Sequence, residues 1–239
     1  MTAKGLEFGI LEAGSGTLAL CVHGFPDSAQ TWRHQLPALA EAGFHAVAPF
    51  TRGYAPTDIP PDGCYHLGAQ VADIVALHEA LGGDERAVLV GHDWGAAAGY
   101  GAAAFAPDRW RRVVALAVPP LSVAPRLFAD YDQLRRFFYF FFFKTPLAEA
   151  AVAADDMAFI DRLWRDWSPS YDPSKDLAHV KLSLRDPGNL SAAISYYRND
   201  GPVPDAYAAE EAALGRICPQ PTLYLHGDED GCIGLDCVA

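Results

Sequence analysis

The 239-residue sequence predicts an α/β fold, a mostly parallel sheet with helices on both faces and a helical segment inserted late in the chain. Three observations carry this. From the N-terminus to about Pro120, short apolar runs alternate with helix-like runs across short Gly-bearing connections, the pattern of a parallel sheet covered on both sides. After Pro119-Pro120 strand patterns cease and aromatic-rich helical patterns take over. A last strand-like run at 221–226 resumes the sheet.

The strands are expected at residues 6–11, 17–22, 45–49, 86–90 and 113–118, each a short apolar or β-branched run bounded by turn residues. Helices are expected near 32–42, 67–81 and 96–105, the last almost entirely Ala and Gly. Residues 121–210 read as a helical insertion, with patterns such as that of 156–164, so that 1–120 and 211–239 form the two parts of one core.

Composition limits what the chain can do. Hydrophobic residues make up 51% and charged residues 20%, which is the balance of an ordinary folded globule. Eighteen Lys and Arg against 30 Asp and Glu leave a formal charge of -12, a surface that repels phosphate backbones, so nucleic acid is not an expected partner. The five cysteines (Cys21, Cys64, Cys218, Cys232, Cys237) are scattered without metal-type spacing, and reduced thiols of a cytoplasmic protein are expected, with no metal or organic cofactor. The N-terminus has no apolar stretch of the secretory type. The Phe-rich run at 137–143 is far shorter than the ~20 residues of a membrane span, so it reads as a core or lid helix and no stable membrane insertion is expected.

The most informative stretch is Gly91-His92-Asp93-Trp94-Gly95, which follows an apolar strand and opens a small-residue helix. This is the strand-turn-helix frame of a nucleophile elbow with a carboxylate in place of the serine, and a carboxylate there attacks carbon and becomes an ester. The competing reading is that Asp93 only caps the following helix. Upstream, the strand at 17–22 ends in His23-Gly24-Phe25-Pro26, a loop able to supply the Phe25 N–H to an oxyanion hole whose other donor is the Trp94 N–H.

With these two motifs in this order, the chain resembles the α/β-hydrolase superfamily, specifically its epoxide hydrolase branch, whose fold carries a helical cap after the sixth strand. The resemblance implies a catalytic set. Asp93 is the nucleophile, Asp230 in Gly227-Asp228-Glu229-Asp230 is the acid that orients a histidine, and two cap tyrosines donate to the epoxide oxygen. Tyr139 matches the first through its spacing to Pro146, and Tyr197, just before Arg198, matches the second, with Tyr196 as its alternate. His23, Pro26 and Phe143 are expected at the substrate pocket, His23 chiefly by bracing its loop. The implied reaction converts a small apolar epoxide to a vicinal diol.

Two departures stand out. Phe50 occupies a position where the family commonly has aspartate, and no histidine follows His226. His92 is expected to point away from the nucleophile, and the last strand, histidine loop and final helix are expected to be missing. The unpaired sheet edge this would leave invites a homodimer. Two rival functions remain. One is haloalkane dehalogenation, which shares the Asp-Trp pair but usually places Asn where Phe25 stands. The other is a protein that binds or traps an apolar ligand without turnover.

Overall fold

The computed structural model describes residues 1–238. A small hairpin, β1 (Thr2–Ala3) and β2 (Leu6–Glu7), precedes a six-stranded sheet of β3 (Ile10–Ala13), β4 (Thr17–Val22), β5 (Phe44–Pro49), β6 (Val88–His92), β7 (Arg112–Leu116) and β8 (Thr222–Leu225). The spatial order is β3-β5-β4-β6-β7-β8, with β3 antiparallel to β5 and the other pairs parallel.

Period-two alternation explains the continuous apolar run of β4, because side chains on successive residues feed two cores. Leu18, Leu20 and Val22 pack with Val71, Ile74 and Leu77 of α2 (Leu67–Ala80) and with Ala98, Ala102 and Ala103 of α3 (Trp94–Phe105). Ala19 and Cys21 face the other side, toward Leu36 of α1 (Gln35–Glu41). The small residues of α3 are a packing requirement: a Cβ on Gly101 would run into Val71 and Leu214.

Between β7 and β8 the chain is helical: α4 (Ala124–Leu127), α5 (Tyr131–Arg136), α6 (Phe138–Phe142), α7 (Ala148–Trp167), α8 (Ser174–Leu184) and α9 (Pro187–Ser195). Then α10 (Ala208–Ala213) packs against α2 and α3, in the core layer. Among the described residues no helix is long and apolar enough to cross a membrane.

Several boundaries differ from those expected. The strand expected at 6–11 is split, because Lys4 and Gly5 turn the chain with φ 46° and 80° into the β1–β2 hairpin, and only Ile10–Ala13 joins the large sheet. The helical segment therefore follows the fifth strand of that sheet, seventh in the chain, and not the sixth. The strand expected at 86–90 begins two residues later and runs into the elbow. The helix expected at 32–42 divides at His34 into a 3-10 turn, Ala29–Arg33, and α1, while α3 begins at Trp94.

The helical segment is moored to the core by polar contacts. Tyr196 donates to the Arg52 carbonyl at 2.8 Å and Asn189 to the Gly53 carbonyl at 2.7 Å. The loop they grip is fixed from below by Arg52, 2% exposed, whose Nε and Nη2 each lie 2.6 Å from an oxygen of Asp73 on α2. Its remaining donors reach the Cys64 and Ala69 carbonyls. Removing one member of such a pair leaves an uncompensated buried charge. Asp73→Ala is expected to lower the free energy of unfolding by ~3–5 kcal/mol in urea or guanidinium titrations, and an effect within the ~0.5 kcal/mol typical of surface sites would show that this pair does not hold the loop.

Candidate active site

The site forms where β4 and β6 end side by side. Asp93 has φ 55° and ψ -123°, a left-handed backbone that a non-Gly residue adopts at a cost of about 1–3 kcal/mol. Its carboxylate makes no capping bond to α3, so it is not held as a helix cap. Instead it turns toward the His23-Gly24-Phe25-Pro26 loop, where Oδ1 accepts the Phe25 N–H at 2.8 Å and the Trp94 N–H also faces it. Both donors expected of an oxyanion hole thus converge on this carboxylate.

Glycines make this approach possible. A side chain at Gly95 would strike the Val22 carbonyl, and one at Gly24 would strike Asp93 Oδ1. Burial raises the Asp93 carboxyl above the ordinary range, with the Asp230 charge adding to the effect, while His92 and the Phe25 and Trp94 N–H groups oppose it.

A cavity of about 550 Å³ opens in front of Asp93. It is lined by Pro26, Asp27, His92, Trp164, Asp230 and Cys232 among others, and reaches Arg33, Tyr171 and Asp176. There Arg33 Nη2 lies 3.3 Å from Asp176, and Tyr171 donates to Asp176 at 2.6 Å, a clasp between the core and α8. His92 therefore lines the same cavity as Asp93 and its charge bears on that carboxyl, contrary to the expectation that it points away.

Tyr139 and Tyr197 are buried, 2% and 5% exposed, in an aromatic cluster against Asp93 rather than on the cavity wall. Their rings meet at 5.4 Å, and Tyr197 also packs edge-on against Trp94 at 5.2 Å and Phe25 at 5.3 Å. Burial holds both phenols protonated, and the Asp93 charge adds to that effect in each. Arg198 explains the Tyr-Arg pairing, since its Nε grips the Phe143 carbonyl at 2.6 Å and its Nη2 lies 2.9 Å from Glu149, which ties the Tyr197 segment to α6 and α7. Tyr196 is occupied elsewhere, donating to the Arg52 carbonyl.

Two residues expected at the pocket do not reach it. His23 and Phe143 are fully buried. His23 accepts the Thr51 N–H on Nε2 at 3.0 Å, which assigns the proton to Nδ1 facing the Gly24 carbonyl at 2.9 Å. Phe143 packs beneath Tyr197 and Phe25. Pro26 does line the cavity.

Asp230 is half-buried, while Asp228 and Glu229 are exposed. Its Oδ1 accepts the N–H groups of Cys232 at 2.7 Å and Ile233 at 2.9 Å, and its Oδ2 lies 3.8 Å from His226 Nε2. His226 is itself engaged, by the Tyr224 hydroxyl at 2.6 Å and the Ile233 carbonyl at 3.0 Å. Among the described residues no cluster of His, Cys, Asp and Glu is arranged to hold a metal ion. Sequence reasoning missed Asp27, Cys232 and the Arg33–Asp176 clasp. Only Asp27, directly after Pro26, had a signal in the motif itself.

Residues 20–236 match the family described as alpha/beta hydrolase fold, and the chain belongs to that family. It is 36% identical to epoxide hydrolase A of Mycobacterium tuberculosis over 214 residues, a match covering 85% of this chain and 59% of that one. An epoxide hydrolase of Caballeronia sordidicola is 29% identical, with 97% and 78% covered. The chain thus spans less than two thirds of the mycobacterial relative. Among solved structures, Bacillus megaterium epoxide hydrolase in complex with an inhibitor superposes with a TM-score of 0.82 at 25% identity, covering 100% of this chain and 85% of that one. Epoxide hydrolase VrEH1 of Vigna radiata gives a TM-score of 0.75 at 29% identity, covering 99% and 81%.

The loop beside Asp93 holds two groups with opposite proton linkage. Burial lowers His23 from 6.5 to about 4, so as pH falls through that window the unfolded chain binds a proton that the folded one refuses, and stability is lost. Burial raises Asp27 from 3.8 to about 7, against the Ser28 N–H and Thr31, with Asp176 and Asp93 pushing it further. Here the folded chain binds the proton first, so stability grows as pH falls from about 7 to 3.8. The two contributions largely offset. Asp27→Asn removes only the second, and this variant is expected to lose ~3 kcal/mol more than wild type between pH 7 and 4. Denaturant titrations across that range test this; parallel curves for the two proteins would overturn it.

Proposed function

We propose that this chain opens small apolar epoxides to vicinal diols through an ester on Asp93. The observation that carries the reading is the Asp93 carboxylate, turned out of the elbow with Oδ1 on the Phe25 N–H at 2.8 Å, with two buried phenols in the aromatic cluster that packs on the flanking Phe25 and Trp94. Similarity to named epoxide hydrolases across most of the chain supports it.

In the first step Oδ2, the oxygen not tied to Phe25, attacks an epoxide carbon. That carbon's bond to the ring oxygen breaks, and Tyr139 or Tyr197 supplies the proton to the departing oxygen. In the second step water adds to the ester carbonyl, whose oxygen is Oδ1, and the carbonyl carbon's bond to Oδ2 breaks, so that the diol leaves with Oδ2. Of water's two protons one goes to the departing diol oxygen and the other returns to the phenolate, which restores the Asp93 carboxylate. The Phe25 and Trp94 N–H groups then face the developing oxyanion, a contact worth ~3 kcal/mol per donor in enzymes where one has been removed. The acid role falls to Asp230. Of the histidines, His92 stands in the cavity beside Asp93, whereas His226 has both ring nitrogens engaged, so His92 is the residue of this chain best placed to take the proton from water. The apolar part of the substrate would lie against Pro26, Trp164 and Trp167, which line the cavity. Five unpaired cysteines fit a cytoplasmic location, and Leu223 and Leu225 exposed on edge strand β8 fit a homodimer. Neither nucleic acid nor a cofactor enters the reading.

A second reading, carbon–halogen hydrolysis, is favoured by one feature. Trp94 Nε1 is buried with no hydrogen-bond partner among the described residues, a donor of the kind that holds halide. Release of halide from a bromoalkane, without adduct formation from an epoxide, would select that reading.

Mass spectrometry of protein quenched with styrene oxide is expected to show an adduct on the peptide holding Asp93, absent in Asp93→Ala; an adduct confined to a cysteine such as Cys21 would sink the assignment. Because only the ionised carboxylate attacks and burial raises its pKa, adduct formation should fail on acidification at a pH above the ordinary aspartate range near ~3.9. A rate unchanged down to that range would count against the buried, raised carboxyl. Tyr139→Phe and Tyr197→Phe should each slow adduct formation about tenfold or more, as expected for a lost donor to a developing charge.

A further inference from the structure

We propose that Cys232 is a positioning residue for the hydroxyl of Tyr139, influencing epoxide opening only through that phenol. The inference rests on the reading of Tyr139 as a donor. Tyr139 Oη and Cys232 Sγ lie 3.3 Å apart, within hydrogen-bond reach for sulfur, and the thiol is the hydroxyl's one hydrogen-bond partner among the described residues. Cys232 also lines the cavity in front of Asp93, so the pair spans the space between the aromatic cluster and the nucleophile.

The loop that carries Cys232 is held from two directions. On the core side, Asp230 Oδ1 accepts its N–H at 2.7 Å. On the other, Gln133 of α5, 1% exposed, donates to the Cys232 carbonyl at 2.7 Å and accepts the Gly234 N–H at 2.8 Å. Gln133 lies one short helix before Tyr139, so the same clamp fixes both members of the pair. Asp230 thereby has a task besides facing a histidine: it sets the height of the sulfur against the phenol.

The chemistry of sulfur suits the role. A thiol is a weak acceptor and a weak donor, and burial keeps this one protonated by pushing it well above the ordinary thiol range. Without substrate the phenol proton can rest on Sγ at little cost to its release. When an epoxide oxygen arrives, the phenol proton turns to it and the S–H donates to the phenol oxygen. The chain S–H···O–H···O strengthens the second link, since hydrogen bonds in series polarise one another. A carbonyl or carboxylate in place of Sγ would retain the phenol proton.

The test is single-turnover formation of the Asp93 adduct from styrene oxide, read as rate against epoxide concentration by quenched mass spectrometry. Cys232→Ala is expected to lower the saturating rate about fivefold, the effect of one neutral hydrogen bond, with half-saturation unchanged. Cys232→Ser should restore it to within about twofold, because a hydroxyl can make the same relay. In the Tyr139→Phe background, Cys232→Ala should have no further effect. Infrared spectra of the wild type and Tyr139→Phe should differ in the S–H stretch, which reports the contact without turnover. An adduct on Cys232 itself, an equal loss from Cys232→Ala in both backgrounds, or a wild-type rate in Cys232→Ala overturns the proposal while leaving the Asp93 reading intact. Absence of any Asp93 adduct in wild type overturns both.

Discussion

The ends of β4 and β6 come so close that neither Gly24 nor Gly95 could carry a side chain, and the placement of the Asp93 carboxylate follows from that contact. With the two backbones this near, the N–H of Phe25 has nowhere to donate but the carboxylate, and the strained φ of Asp93 is held by α3 on one side and the loop on the other. The groups placed near Asp93 are arranged around this fixed point. The tyrosines reach it from the helical segment, Asp230 from the end of β8, and His23 supports it from beneath.

Electrostatics follow from the same burial. A carboxylate among aromatic rings is expensive to ionise, and here two N–H groups offset part of that cost. In the reading proposed above, the residual penalty makes attack at carbon easier, because a poorly solvated carboxylate is the more reactive one. Histidine 23 illustrates the converse: with the Thr51 N–H occupying Nε2, it cannot act as a base, and its role is to keep the loop in register.

The local sequence revealed what the backbone dictates. Alternating apolar runs marked the sheet, and the glycines flanking Asp93 and following His23 marked the site, because close backbone approach demands those residues at those positions. It did not reveal what distant packing decides. Nothing near His23 or Phe143 said that each would be sealed under other side chains, and nothing near His92 said that its ring would share the cavity. The hairpin at the N-terminus was hidden because 6–11 reads as a single apolar run, while Lys4 and Gly5 bend the chain just before it. Cys232 was invisible as a partner of Tyr139, since 93 residues separate them and a lone cysteine in a turn carries no periodicity.

One further contact has a bearing on how the cavity fills. Trp164 of α7 donates its indole N–H to the carbonyl of Pro26 at 2.8 Å, and the Arg33–Asp176 clasp ties α8 to the adjoining turn. Pro26 is the residue next to Phe25, whose N–H donates to the Asp93 carboxylate. Swinging the helices outward as a lid would therefore tug on the very peptide that holds the Asp93 carboxylate. These contacts tie the helices to that turn as a fixed roof over the cavity. In the reading proposed above, molecular width, rather than the cost of lifting a domain, then limits what the cavity admits.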